Sequence, residues 1–431
     1  MFKLSIKHIV AYLLLGLGFA TIMGFMYMQY VYYDAMIATL EVSNAELGML
    51  ITILGITALV TGIPAGAVVD RFDCRKSLTL SLLIMMVFVA LFALFPKYQI
   101  AQVTWLVDGV VMSFWYASIY KVVRVIAPPE AVGKSFGMFG IGTAIGSIVV
   151  NVAGLALYDA FATVSLQTGL SAILWAFFAA GTISAVGSYP LIMKMKIQGE
   201  AKNTEKKEKK AIKETVDNFI TGVKDPGMWL YVLGCFCIYS FQVSISYFTP
   251  YFTAVLGATV VFSGVIAIFR QYGLRIISAP IGGMLGDKFG GTAKVIRVSF
   301  AILFVFVLIV LFLPVSTPMA VLVALVFAIG LLGTMNIALQ ASISEDAMVA
   351  PSNMGLAVGM TSVLSADLFQ ATLFGSWLDA FGNGGYTMIW IYTLCILALG
   401  MTVLTIMIKR KKKKTAVVVA SEAVATQGEA S

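Results

Sequence analysis

Gly66-Ala67-Val68-Val69-Asp70-Arg71-Phe72-Asp73-Cys74-Arg75-Lys76 and Gly283-Met284-Leu285-Gly286-Asp287-Lys288-Phe289-Gly290-Gly291 are the two stretches whose reading decides the fold. Both carry G-x-x-x-D-[RK], and their aspartates, Asp70 and Asp287, fall at matching places in the two halves of the chain. Each interrupts sequence that is otherwise apolar over membrane length. Nearly the same separation recurs on either side, between Gly48 and Gly264, Pro64 and Pro280, and Gly137 and Gly355. A spacing that barely changes over four helices points to a duplication, two parallel repeats of six helices each.

Hydrophobic residues make up 60% of the 431 residues and charged residues 12%. A soluble domain carries about 25% charged residues, so this chain has too little polar surface to face water all round. In a bilayer that surplus faces lipid. Twelve apolar runs of spanning length are present, at about 8–33, 45–69, 77–96, 101–124, 134–159, 168–193, 228–254, 261–286, 294–313, 318–343, 354–378 and 386–408. Each meets the roughly 20 residues that a helical span needs. The runs lack the dyad alternation of barrel strands, so the fold class is all-α membrane protein.

Lys and Arg set the expected orientation. With the amino terminus in the cytoplasm, 26 of the 29 basic residues fall on that side, and Lys97 alone falls opposite. The remaining two, Arg270 and Arg275, lie inside the eighth span. This asymmetry predicts cytoplasmic termini. It also accounts for the net charge of +8 without a nucleic-acid partner; the basic run Lys409–Lys414 suits anionic lipid. The predicted units are an amino-terminal bundle at 1–194, a cytoplasmic linker at 195–226, a carboxy-terminal bundle at 227–410 and a disordered tail at 411–431. In the linker Ile212, Val216, Phe219, Ile220 and Val223 recur at helical spacing beneath a basic face, as in a helix lying on the membrane surface. One histidine and four scattered cysteines offer no metal-ligand cluster and no disulfide frame. No cofactor is expected, and no P-loop is present. Enzymatic chemistry is not expected.

Twelve spans, a six-plus-six parallel repeat, a basic central loop and G-x-x-x-D-[RK] after the second and eighth spans together resemble the major facilitator superfamily, over about residues 8–408. The superfamily pattern is G-x-x-x-D-[RK]-x-G-[RK]-[RK]. Gly66, Asp70, Arg71 and Arg75 match its first copy, with Asp73 and Cys74 departing. Gly283, Asp287, Lys288 and Gly290 match the second, with Gly291 and Thr292 in place of the basic pair. The resemblance implies a cytoplasmic gate at these residues. The fourth span lacks the family's frequent arginine; Trp105 precedes Gly109, and Asp108 is the charged residue there.

Ionisable groups at membrane depth cost roughly 2.5–3.5 kcal/mol each on insertion scales and usually face protein or water. Four qualify: Asp108, Arg270, Arg275 and Asp367. Arg270 and Arg275 are separated by about 140° around a plain α-helix, so they face the same way only if the helix bends. An arginine in the eighth span resembles the anion-carrying branches of the superfamily. The substrate-binding expectation is Arg275 and Arg270, supported by Gln271, Tyr33, Gln242, Tyr247 and Asn336. The competing structural reading pairs Arg275 with Asp367. Asp108 and Asp367 are the proton-coupling candidates. Gly142 and Gly146 form a small-x-x-x-small patch for close helix packing.

These readings predict a monomeric secondary transporter in a bacterial inner membrane, moving a small anionic solute by alternating access with protons. An exporter of amphipathic compounds and a transporter-like nutrient sensor are the alternatives.

Overall fold

The computed structural model describes residues 4–128, 131–195, 224–314, 316–349 and 354–428. The linker expectation at 195–226 falls almost wholly outside these. Among the described residues twelve helices are long and apolar enough to cross a membrane. They are α1 (Ile6–Met26), α2 (Asn44–Arg71), α3 (Cys74–Leu94), α4 (Tyr98–Ile126), α5 (Val132–Ala162), α6 (Leu166–Lys194), α7 (Pro226–Ala254), α8 (Val260–Phe289), α9 (Thr292–Phe312), α10 (Met319–Ala347), α11 (Leu356–Phe381) and α12 (Gly384–Gly428). The starts follow from local chemistry. Ser43 and Glu46 form a capping box on α2, and Asp73, Ser165 and Thr259 each accept an N–H in the first turn of α3, α6 and α8. Pro64 and Pro280, one repeat apart, sit inside α2 and α8.

The tail differs from expectation. Where the sequence reading has disorder from 411, α12 continues to Gly428. Thr415–Gly428 is rich in alanine and contains no proline, so little opposes propagation of a helix already nucleated in the membrane.

Contact density divides the chain differently from the sequence repeat. One compact unit holds the amino-terminal six helices together with Ile245–Ile276 and Ala366–Met388. Its α1, α5 and α6 pack mutually, α4 packs against both α2 and α3, α3 packs against α6, and α2 packs along α11. The other unit holds Glu205–Ser244, Ile277–Ser365 and Ile389–Ser431. Within the first unit the expected small-residue packing is present: side chains at Gly142 and Gly146 would meet the α1 backbone at Leu13 (2.8 Å) and Leu17 (3.1 Å).

The α2–α11 line is the tightest crossing in that unit. A Cβ at Gly48 would strike the Ala371 carbonyl, and one at Gly375 would strike the Asn44 carbonyl. Both positions demand glycine because backbone lies against backbone. Gly375→Ala should therefore lower the melting temperature of the purified protein by several degrees. Gly137→Ala, whose new methyl meets nothing within 4 Å, should leave it unchanged or slightly higher through helix propensity. Equal effects would contradict this packing.

Candidate functional site

The mid-membrane charges of α4, α8 and α11 all belong to the first unit, and its helices hold them in different ways. α8 is not a plain helix. Phe269–Gly273 forms a π turn, closed by the Leu274 N–H on the Phe269 carbonyl. Arg270 sits in that turn, 1% exposed, with neither Nη1 nor Nη2 bonded. Arg275 follows one turn later and is exposed. Gln271 is half-buried with its Oε1 unbonded. Arg275 lies within electrostatic reach of the hydroxyls of Tyr116, Tyr120 and Tyr272, and Arg270 within reach of Tyr272.

α11 is also broken. Its middle is a single 3-10 turn, Ala366–Leu368, which presents Asp367. Asp367 accepts a hydrogen bond from Tyr27 Oη at 3.0 Å. It too reaches the Tyr116 hydroxyl electrostatically, so Tyr116 is the group that Arg275 and Asp367 share. Around it Phe19, Trp115, Tyr116, Tyr120 and Phe139 form a run of ring contacts with centroids 5.4–6.2 Å apart. Asp108 is set apart from this group. It is fully buried on α4, and both its carboxyl oxygens are unbonded.

Tyr33 and Tyr247, expected at the substrate, lie along the α2–α11 crossing. Tyr33 Oη donates to Asn44 Oδ1 (2.8 Å) and Tyr247 Oη donates to the Ala371 carbonyl (3.1 Å), with the two rings edge-on at 5.8 Å. The crossing carries further ties that sequence reasoning missed. Asp379 on α11 accepts from the N–H groups of Asn44 and Ala45 (both 2.9 Å) and from Asn44 Nδ2 (2.7 Å). It thus supplies a negative group to the amino end of α2, where unpaired N–H donors and the helix dipole favour one. Thr52 and Thr372 hydroxyls meet at 2.8 Å. Beside them Thr253 Oγ1 donates to Asp34 (2.9 Å) and Thr249 Oγ1 donates to the Tyr30 carbonyl (2.9 Å). Asp379, the partner on α11 of the Ser43–Glu46 start of α2, lies most of the chain away in sequence.

Gln242 and Asn336 belong to the second unit. Asn336 is fully buried with both amide atoms unbonded, and Gln242 is half-buried. Among the described residues no group of three or more metal-ligating side chains occurs.

At the motif turns, α2 runs through Gly66, Asp70 and Arg71, whose side chains lie outside what the structure describes. Arg75 is tied within the amino-terminal half. It pairs with Asp73 (2.7 Å) and donates to the carbonyls of Ile192, Met193 and Met195 at the end of α6. Asp287 and Lys288 are exposed at the end of α8. Gly290 (φ 62°) and Gly291 (φ 147°) then turn the chain, and a side chain at Gly291 would meet Asp346 at 3.2 Å. That is a physical reason for glycine where the superfamily pattern has a basic residue. Asp346, also missed from sequence, accepts from the Ala293 N–H (2.7 Å) at the start of α9 and from Lys411 (2.6 Å) on α12.

The family model described as Major Facilitator Superfamily matches residues 9–368. Two Escherichia coli K12 proteins are similar over most of the chain. Inner membrane protein YihN is 26% identical, with 91% of this chain and 93% of that one covered; inner membrane protein YqcE is 22% identical, with 90% and 92% covered. Among solved structures, a bacterial homologue of the human lysosomal transporter Spinster in an inward-facing, unoccupied conformation superposes with TM-score 0.71 at 16% identity, covering 94% of this chain and 98% of that one. A mutant of the nucleoside transporter NupG gives 0.70 at 13%, covering 93% and 98%. At these identities the likeness is one of fold.

Two measurements check this geometry. Thr52→Cys with Thr372→Cys should crosslink under mild oxidation, and failure to crosslink in any condition would contradict the crossing. The Arg75 guanidinium holds the Asp73 carboxyl below its ordinary value through their hydrogen bond. Its folded value being depressed, Asp73 adds stability at neutral pH, and that stability is lost as pH falls through the folded value. Asp73→Asn, which keeps a side chain able to cap the helix but loses the ion pair, should therefore melt slightly lower at pH 7, consistent with a surface ion pair worth about 0.2–1 kcal/mol. The gap should close on acidification; a gap that is constant with pH would contradict the pairing.

Proposed function

Because the chain belongs to the major facilitator superfamily, we propose that it is a secondary active transporter that moves a small anionic solute, with protons, by alternating access. Arg275 carries the anion reading. It is an exposed guanidinium on a membrane-spanning helix, with the hydroxyls of Tyr116, Tyr120 and Tyr272 in electrostatic reach. A guanidinium offers a carboxylate two parallel charged hydrogen bonds, and the phenols add neutral donors. Asp108 supports proton coupling. A membrane-buried carboxyl with both oxygens unbonded has no fixed partner, and intramembrane carboxyls of that kind serve as proton relays. Asp367, bonded to Tyr27, links the site to the α2–α11 crossing: gain or loss of a proton there changes the Tyr27 contact and with it the crossing.

The charge asymmetry of the loops supports cytoplasmic termini, and the likeness to two inner membrane proteins supports a bacterial inner membrane. In that orientation the α2–α11 crossing at Asn44, Gly48 and Thr52 lies toward the outer face and acts as the outer gate. The G-x-x-x-D-[RK] ends of α2 and of α8 each lie toward the inner face. Binding energy that differs between the two facing states drives the exchange, because a solute that bound both equally would shift nothing.

Uptake into liposomes containing the purified full-length protein tests the reading, across carboxylates, sugar acids, phosphates and nitrate with and without an inward proton gradient. Arg275→Lys should slow uptake of the transported anion about tenfold or more, since a lysine cannot reproduce the bidentate fork. Unchanged kinetics would contradict the anion site. Asp108→Asn should abolish stimulation by the gradient while leaving solute counterflow; retained stimulation would remove Asp108 from the coupling.

A further inference from the structure

A plain helix would set the two guanidiniums of α8 about 140° apart, and α8 is not plain where it carries them. A π turn inserts one residue into the helical register. With that residue inserted at Phe269–Gly273, Arg270 and Arg275 are related as positions four apart, about 40° around the axis and one turn along it. The π turn is thus the bend that lets both arginines address one side. Tyr272 lies between them in sequence, and its hydroxyl is in electrostatic reach of both.

Arg270 is a costly residue in its present surroundings. Its side chain is buried with both terminal nitrogens unbonded, and no carboxylate among the described residues acts on it electrostatically. A buried charge without a partner is strongly unfavourable. If Arg270 served the fold, it would have a counter-ion built in. On α5, against which the π turn packs, the Asn151 carbonyl is taken by Tyr32 Oη at 2.8 Å. Asn151 Oδ1 is likewise buried and unbonded.

We propose that Arg270 and Arg275 form one receptor for two negative groups on a single solute. The solute class is then a compact diacid whose acidic groups are about one helical turn apart, roughly 5 Å. Arg270 takes the more deeply buried group and Arg275 the other. This rests on the anion reading above and goes beyond it, because a single-anion site needs only Arg275.

Thermal unfolding of the purified full-length protein tests it, with paired acids as probes: butyrate against succinate, and lactate against malate. A ligand that binds only the folded state raises the melting temperature by mass action. In the wild-type protein the diacid of at least one pair should stabilise more than its monoacid. Arg270→Met should raise the melting temperature without ligand, since it removes an unpaired buried charge, and should weaken diacid binding about ten- to a hundredfold while sparing monoacids. Arg270→Lys, which keeps the charge but not the fork, should fall between. Arg275→Met should weaken both acids of a pair. The proposal is overturned if Arg270→Met lowers the melting temperature without ligand, if it binds diacids as the wild type does, or if no diacid outperforms its monoacid. In that last case monoacid binding lost in Arg275→Met leaves the anion reading standing; failure of every acid to bind overturns the diacid receptor and leaves the anion reading to be decided by the uptake panel.

Discussion

A carboxylate at the head of a helix organises the α2–α11 crossing. Asp379 on α11 accepts two backbone N–H groups and one side-chain amide at the start of α2. No side chain within α2 could satisfy so many of its first-turn donors at once. The tie holds two backbones at a distance only glycine permits, at Gly48 and Gly375. The Thr52–Thr372, Tyr247–Ala371 and Tyr27–Asp367 bonds continue the same line inward. Each of these interactions is modest, and a helix-end charge is worth only about 0.3–1 kcal/mol when exposed. Their chemistry suits a joint that must close firmly and still open. A dry apolar joint of the same length would bury more area and separate less readily.

The line ends at Asp367, and there the seal meets the charged interior. α8 and α11 both depart from regular helix where they carry their charges, by a π turn and by a 3-10 turn. Irregular backbone inside a membrane persists where protein or water satisfies it, and π turns recur at functional sites. Arg275 and Asp367, one beside each break, both act electrostatically on one tyrosine, Tyr116. On the proposed transport reading, a solute drawn to the guanidinium would change the surroundings of Asp367, which holds Tyr27 at the inner end of the crossing; binding and closure would then share a residue.

The sequence carried the fold plainly. Apolar run length gave all twelve spans, the G-x-x-x-D-[RK] turns gave the repeat, and Gly142 with Gly146 gave a packing face against α1. Intramembrane charge also singled out Asp108, Arg270, Arg275 and Asp367, since each is expensive enough to require a reason. What was not legible depends on partners distant in sequence or on register. Nothing near Asp379 marks it as a cap for a helix that begins near the other end of the chain. Tyr33 and Tyr247 look like any membrane tyrosines until their hydroxyls are seen at Asn44 and Ala371. A π turn adds one residue to a turn without a distinctive composition, so a plain-helix reading of α8 sent its two arginines apart. Asp346 was missed because its partners, the start of α9 and Lys411, converge only in the folded chain.

The central claim is that the α2–α11 joint is a reversible seal. Electron spin–spin distances between labels at Lys97→Cys and Phe381→Cys, both exposed, measure it most directly in an otherwise cysteine-free protein held in lipid. The account requires two distance populations that exchange weight when transported solute or a proton gradient is applied, with the short one matching the present structure. A single short distance under every condition, from protein that still transports, would contradict it.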